Sequence, residues 1–444
     1  MKINPEFLRN FWLELTPHRL ISMPAIIFGI FFLVYLATRM TPASTYAAIE
    51  TTSLGLYLLL TMIWGVKLSA DAIVGEIRDK TWDMQRMTAI NAWSMTWGKL
   101  FGSTLFSWYG ALIALALYIY ALLAQGSQGI WTNVSLLLVT PVLVQSITLL
   151  GSVLAIQRSR TITKSASSVT MLFGIFIAIS VISNGLSSTT QMQWFSRSWS
   201  SAYFILGVVL VFCGWSIIGL YRMLRIEFQY QNRPWVWLLF VIFLSVFSAG
   251  FVNSSYASAE ELMTARLFTA FVVTLVLAYI QIFLDNKDPL IIRRLMHLAT
   301  QKQWFRLLLR LPGWTVTLIL ASLFCLILLL RDYPERVDLL FNNMQMNMVL
   351  LSSLLLAYRD IAIVLYFNLS GRRKRADASA LLYILILHLL IPGILLKLGL
   401  TDLAATLTFY GNSDWAVPGA VIQVIVMLIL IRRQWKQNFP AVKT

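Results

Sequence analysis

Gly75–Lys99, GEIRDKTWDMQRMTAINAWSMTWGK, separates two apolar runs, Thr52–Val66 and Phe101–Leu123, that each read as a membrane crossing. Within it Trp82, Trp93 and Trp97 are interleaved with Glu76, Arg78, Asp79, Lys80, Asp83, Arg86 and Lys99. The segment is too charged to lie in lipid and too aromatic for a solvated linker. It reads as a short helical hairpin at the membrane surface with a face offered to another component. The plainer alternative is an interfacial loop whose tryptophans anchor at headgroup level.

Outward from this stretch the chain is apolar. Of its 444 residues 58% are hydrophobic, and the mean hydropathy is +0.74. A soluble protein of this size has no interior large enough for so much apolar surface. The expected class is therefore an all-α polytopic membrane protein. A crossing needs about 20 mostly apolar residues. About twelve hydrophobic cores qualify once their flanks are included: Leu20–Leu36, Thr52–Val66, Phe101–Leu123, Val134–Ile156, Ala166–Ile182, Ala202–Tyr221, Trp235–Phe251, Leu267–Phe283, Trp314–Leu330, Met346–Phe367, Ala378–Leu396 and Val417–Ile431. Residues 20–225 and 226–444 would each hold six, which allows two six-helix bundles.

Charge placement agrees with that count. Most of the 35 Lys and Arg fall in alternate segments, beginning with the N-terminal one. The intervening segments hold only Arg39, Arg197, Arg266, Arg331, Arg336 and Lys397. The positive-inside rule then puts both termini in the cytoplasm. The net charge of +16 is explained by topology. It is spread over many loops and forms no single basic stripe, which argues against nucleic acid as a partner.

Residues 1–19 read as an interfacial amphipathic helix and not as a cleavable signal. Phe7, Leu8, Phe11, Trp12 and Leu15 share one face, and Pro17 ends the helix. The cytoplasmic segment 285–313 is a second long polar interruption. Asp288 before Pro289 is a helix start, an N-cap acid followed by Pro at N1. The outer stretch Trp194–Trp199 reads as a polar loop. A weak internal repeat, Trp12 to Asp71 against Trp304 to Asp360, would make Gly371–Ser379 the counterpart of Gly75–Lys99.

Ala70–Ser103 resembles the first cytoplasmic segment of the type-2 ABC exporter permeases. In that family an acidic residue, a basic/acidic pair, a Thr, an apolar stretch and a small-residue-plus-Lys pair recur before the third span. Here they are Glu76, Arg78 with Asp79, Thr81, Trp82, and Gly98 with Lys99. One position departs: the family often has Gly before the Thr, and this chain has Lys80. The resemblance implies a membrane subunit driven by separate cytoplasmic ATP-binding cassette ATPases, in two copies, in a bacterial inner membrane. Docking would use Glu76, Arg78, Asp79, Thr81, Trp82, Arg86 and Lys99 of a coupling segment spanning 70–100. A second contact would come from segment 285–313, or from Arg372, Arg373, Arg375 and Asp377 in 371–379. ATP would sit on the partner, and no cofactor is expected on this chain. One chain could form both halves of a pathway, or two could form a homodimer.

The residues that could carry chemistry are few. An intramembrane charge costs roughly 2.5–3.5 kcal/mol on insertion scales and marks function by default. Arg359 and Asp360, adjacent in the tenth core, are the candidate pair, with Arg359 snorkelling toward the inner interface as the plainer reading. His388 stands alone on an apolar run and reads as a hydrogen-bonded packing residue. Cys213 and Cys325 lie in apolar runs and read as small core residues. The sequence has no GxxxxGK[ST] loop, no metal-ligand spacing and no catalytic constellation. Two other classes stay open: a gradient-driven carrier using Asp360, and a membrane scaffold that moves no solute.

Overall fold

A computed structural model of the chain describes residues 4–38, 42–88, 90–159, 164–186, 190–253, 258–285, 287–331, 346–370, 375–409 and 413–439. They are almost wholly helical and fall into two compact units, residues 1–192 with 198–232, and residues 193–197 with 233–444. The division after Asn232 lies slightly beyond the break expected at 225/226.

Unit 1 begins with α1 (Pro5–Glu14), α2 (Pro17–Thr38) and α3 (Pro42–Leu58). A π-helical turn, Leu59–Trp64, joins α3 to α4 (Gly65–Arg78). Then come α5 (Trp82–Arg86), α6 (Ala92–Gly102), α7 (Leu105–Ala124), α8 (Ile130–Ser159) and α9 (Lys164–Leu186). Strands β1 (Gln191–Trp194) and β2 (Arg197–Ser200) precede α10 (Ser201–Glu227). Five segments of this unit are long and apolar enough to cross a membrane: Pro17–Thr38, Thr45–Arg78, Leu105–Ala124, Ile130–Gln157 and Ser201–Glu227. Val169–Gly185 is apolar and shorter. The second crossing runs on without a break into the polar stretch and carries Asp71 and Glu76 on its last turns. The first residues of Gly75–Lys99 are thus the end of a long helix, not the start of a surface hairpin.

The π turn widens the helix and frees carbonyls that lipid could not solvate. Neighbouring helices supply the donors. Ser107 Oγ donates to Leu60 O at 2.6 Å, and Gln145 Nε2 to Thr61 O at 3.1 Å. Gln145 Oε1 in turn accepts from Trp108 Nε1 at 3.1 Å. The close approach requires glycine at 65, where a Cβ would lie 2.5 Å from Gln145 Nε2. Around this polar knot pack Tyr57, Ala111, Ala114, Tyr118 and Leu137, all buried. The small residues let α3 and α7 approach closely.

Unit 2 contains α11 (Trp235–Ala249), α12 (Ala259–Leu284), α13 (Pro289–Thr300), α14 (Trp304–Leu308), α15 (Gly313–Leu329) and α16 (Met346–Leu369). Next is α17 (Ala376–Leu385), which passes through a second π turn, Ile386–Leu390, into α18 (Ile391–Lys397). Helices α19 (Thr401–Ala405) and α20 (Ala416–Asn438) complete the unit. Ala259–Leu284, Met346–Leu369, Ala376–Lys397 and Ala416–Asn438 are long and apolar enough to cross a membrane, and Trp235–Ala249 and Gly313–Leu329 are apolar but shorter. The core of the unit is Phe271, Leu275, Ala321, Cys325, Leu350 and Ala357. Helix α13 starts as its sequence dictates: Asp288 accepts from Leu290 N at 3.1 Å and Pro289 takes N1. Ser258 caps α12, accepting from Glu261 N at 3.2 Å, the arrangement a Ser-x-x-Glu start provides.

The stretch around Trp194–Trp199, expected as a polar loop, has regular structure. It is a two-stranded hairpin whose turn residues Phe195 and Ser196 have φ of 49° and 58°. Two left-handed residues make the tight turn that matches strand twist. Within unit 2 the tip is seated by Trp194 Nε1, which donates to Phe247 O at 3.1 Å, and by Arg266, whose guanidinium lies 5.0 Å from the Phe195 ring centroid.

Candidate functional site

Helix α4 ends in a Schellman motif, which aims the following residues away from the bundle. Thr81 N donates to Glu76 O at 2.8 Å and Lys80 N to Ile77 O at 3.1 Å. The motif requires a left-handed residue at Lys80, whose φ is 60°. Lysine thus adopts here the conformation for which glycine is usually used.

The short helix α5 and its flanks form a tip with two sides. Outward face Arg78, Asp79, Lys80, Thr81 and Asp83, together with Met84 and Met87, which are 67% and 82% exposed. Inward face Trp82 and Gln85, both buried. Arg86 closes the tip onto α10, donating through Nε to Glu227 O at 3.1 Å.

Beneath the tip lies a closed charge cluster. Lys99, 1% exposed, has its Nζ 2.8 Å from Glu6 Oε1 and 2.9 Å from Gln85 Oε1, and also bonds Glu76. Gln85 Nε2 donates to Glu76 Oε1 at 2.7 Å. Arg9 Nη2 reaches Glu6 Oε1 at 2.9 Å and also pairs with Glu76. The Lys99 ammonium lies 5.7 Å from the Trp82 ring centroid, in cation–π range. Two carboxylates face two cations, so burial leaves no uncompensated charge.

Helix α1 supplies half of this cluster. Its cap, Asn4, accepts from Glu6 N at 3.0 Å and donates to Ser94 O at 2.6 Å, tying the start of α1 to α6. Gly98 lets the helices touch: a Cβ there would lie 2.6 Å from Glu6 Cβ. Glu6, Arg9 and Asn10 therefore face protein, while Leu8, Phe11, Trp12 and Leu13 remain exposed.

These positions correct part of the sequence reading. Glu76, Trp82 and Lys99 do not form an outward docking face. They hold the tip to α1 and α6 from inside, because a buried lysine requires its counter-ions to be buried with it. Arg78, Asp79 and Thr81 are exposed, and Arg86 is occupied by α10. Sequence reasoning missed Glu6, Arg9 and Gln85. The available signal was the small-residue pair Gly98 and Gly102, spaced one turn apart on α6 as at close helix contacts.

Unit 2 holds a second polar cluster. Arg359 and Asp360 stand in the middle of α16, 2% and 0% exposed. Arg359 does not snorkel. Its Nε donates to Asp360 Oδ1 at 2.8 Å and its Nη1 to Gln423 Oε1 at 2.5 Å. Asp360 Oδ2 accepts from the Tyr279 hydroxyl at 2.6 Å and lies 2.7 Å from His388 Nε2. His388, in the π turn, is hydrogen-bonded as expected, but its partners are the charged pair Arg359 and Asp360. Its ring stacks on Phe409, with centroids 4.3 Å apart and planes at 13°.

Of the second contact expected, Arg372 and Arg373 lie outside the described residues. Arg375 starts α17, and Asp377 accepts from Asn368 Nδ2 at 2.8 Å and pairs with Lys287 Nζ at 3.3 Å. That pair joins segment 285–313 to segment 371–379. Beside it, Asp285 accepts from Gln281 Nε2 at 2.6 Å and from Trp314 N at 3.2 Å. Burial pushes the Asp285 carboxyl up from its ordinary value, and the donated hydrogen bonds only partly offset this.

Among the described residues no group of three or more His, Cys, Asp or Glu side chains is placed to hold a metal ion. Cys213 and Cys325 are each buried on an apolar helix. No family model, curated protein or solved structure matches the chain.

Proposed function

We propose that this chain is the membrane subunit of an exporter driven by a separate ATPase that docks on the tip Arg78–Met87. The observation that supports this most is the contrast between the two sides of the tip. Its outer side is exposed and carries two methionines among charges. Its inner side is a buried, charge-balanced cluster. Methionine and arginine are enriched in protein interfaces, and a contact surface on a rigid support loses little ordering entropy on binding.

In this reading the three shorter apolar helices also cross the membrane, which gives twelve spans with both termini in the cytoplasm of a bacterial cell. Force on α5 passes through Trp82, Gln85 and Lys99 to α4, α6 and α1 together. The helices then move as one body, as alternating access requires. ATP is bound and hydrolysed by the partner, in two copies, and this chain needs no cofactor. The exported molecule is left open by the residues described.

The test is a pull-down of the tagged full chain from gently solubilised native membranes, with the co-purifying chains identified and assayed for ATP hydrolysis. A stoichiometric ATPase that is lost on Met84→Asp with Met87→Asp supports the reading. No ATPase across several detergents would overturn it in favour of a gradient-driven carrier.

A further inference from the structure

One ring nitrogen of His388 faces a donor and an acceptor at once. Nε2 lies 2.8 Å from Arg359 Nη2 and 2.7 Å from Asp360 Oδ2. A guanidinium offers only N–H donors, and an ionised carboxylate only acceptors. Without a proton, Nε2 accepts from Arg359. With a proton, it donates to Asp360. It cannot do both. The other ring nitrogen, Nδ1, is buried and has no hydrogen-bond partner among the described residues. Histidines are usually fixed in one tautomer by a bond at the second nitrogen, and His388 has no such bond.

Helix α17 carries Asp377, paired with Lys287, α18 carries Lys397 at its end, and α19 carries Asp402, which accepts from Ser413 Oγ at 2.8 Å. Helix α16 presents Arg359 and Asp360. Helix α12 presents Tyr279, whose hydroxyl donates to Asp360 Oδ2. Helix α20 presents Gln423, uncharged and occupied by Arg359. Phe409, beyond α19, covers one ring face. Helix α15 carries no charged residue, and its Ser322 is bonded to Tyr358 at 2.9 Å. Arg359 and Asp360 pair with each other, and the ring nitrogen lies between them.

We propose that His388, with Asp360 as its counter-ion, is a proton-binding site in the core of unit 2. In the neutral ring the hydrogen is on Nδ1; on uptake, a proton from the aqueous phase bonds to the Nε2 lone pair and leaves an imidazolium with both nitrogens protonated. The hydrogen bond from Arg359 Nη2 to His388 is given up, and the new N–H is donated to Asp360 Oδ2. No covalent bond breaks. Arg359 keeps Asp360 Oδ1, at 2.8 Å from Nε and 2.7 Å from Nη2, and keeps Gln423. Proton uptake thus exchanges one tie between the π turn and α16 for another. Single π turns inside α-helices are frequent at functional sites. The inference uses none of the residues of the docking tip and stands or falls separately from the ATPase reading.

The chain has three histidines, and His18 and His297 are exposed. Nuclear magnetic resonance of the full chain in lipid nanodiscs, with nitrogen-isotope-labelled histidine, can therefore follow each ring. His388→Gln assigns the signal of interest. The titration runs from about pH 8 to pH 5, the range over which an imidazole ordinarily changes charge. The expected result is that His388 Nε2 changes from a lone-pair to an N–H chemical shift on acidification. Asp360→Asn should lower the proton affinity at least about tenfold, or about one pH unit. Tyr279→Phe frees Oδ2 and should raise the affinity, which keeps the test available where Asp360→Asn fails to fold. A His388 signal that stays constant over the whole range would overturn the proposal. So would a midpoint unmoved in the substituted chains.

Discussion

Glu6 and Lys99 meet at 2.8 Å with both side chains 2% exposed. Helix α1 is therefore packed into the segment 70–100. Breaking a buried pair costs more than the pair itself contributes, because the surviving charge is stranded. Glu6→Gln or Lys99→Met should each lower stability by about 3–5 kcal/mol, and the double substitution by less than the sum. Thermal melts of the four proteins in one detergent check this. Additive losses would show that the two residues are not coupled.

Lys80 sits at a φ of 60°, a conformation that costs a residue with a Cβ roughly 1–2 kcal/mol. Lys80→Gly relieves this in the folded state and adds flexibility in the unfolded one. We expect a net gain of about 0.5–1 kcal/mol, seen as a higher melting temperature and slower proteolysis at Arg78. Destabilisation would mean that the lysine side chain makes a contact worth more than the strain.

How much of this arrangement the sequence reveals depends on the range of the interactions. The apolar runs and the α13 start at Asp288–Pro289 are local signals and lie where the pattern puts them. The Glu6–Lys99 and Asp360–His388 contacts join residues far apart in the chain, and no periodicity encodes such a pairing. The 191–200 hairpin was illegible because its turn, Phe195–Ser196, lacks the Gly and Asn that mark a left-handed turn. The π turns have no compositional mark, since Leu59–Trp64 and Ile386–Leu390 look like any apolar helix. Arg359 was ambiguous by nature: a long cationic side chain in a crossing helix either snorkels or is paired, and only its neighbours decide.

Gln145 serves two groups that lipid cannot, the Thr61 carbonyl at 3.1 Å and the Trp108 indole at 3.1 Å. Gln145→Leu would leave both unsatisfied, at a cost of about 1–3 kcal/mol for each. A loss of about 2–5 kcal/mol in total is expected, allowing for some compensation between the freed groups. Adding Trp108→Phe, which removes the stranded donor, should recover part of it. Equal melting temperatures for Gln145→Leu and the wild type would show that the π turn does not depend on this residue.

Asp285 supplies a pH dependence whose sign can be worked out. Burial raises its folded carboxyl above the unfolded value. Between the two values the folded chain holds more protons than the unfolded chain, so stability falls as pH rises through that window. Below the unfolded value the carboxyl is neutral in both states and imposes no cost. Above the folded value the full cost of a buried charge is present. Asp285→Asn removes the titrating group while keeping one acceptor for Gln281 Nε2 or Trp314 N. Melting temperatures measured from about pH 4 to pH 7, the side of the ordinary carboxylate value toward which burial acts, should therefore fall more steeply with rising pH in the wild type than in Asp285→Asn. The difference in slope is the readout, since the lost acceptor shifts the whole Asn curve by a constant. Parallel curves would mean that Asp285 is as ionised in the folded chain as in the unfolded one, held so by Lys287 and the two N–H donors.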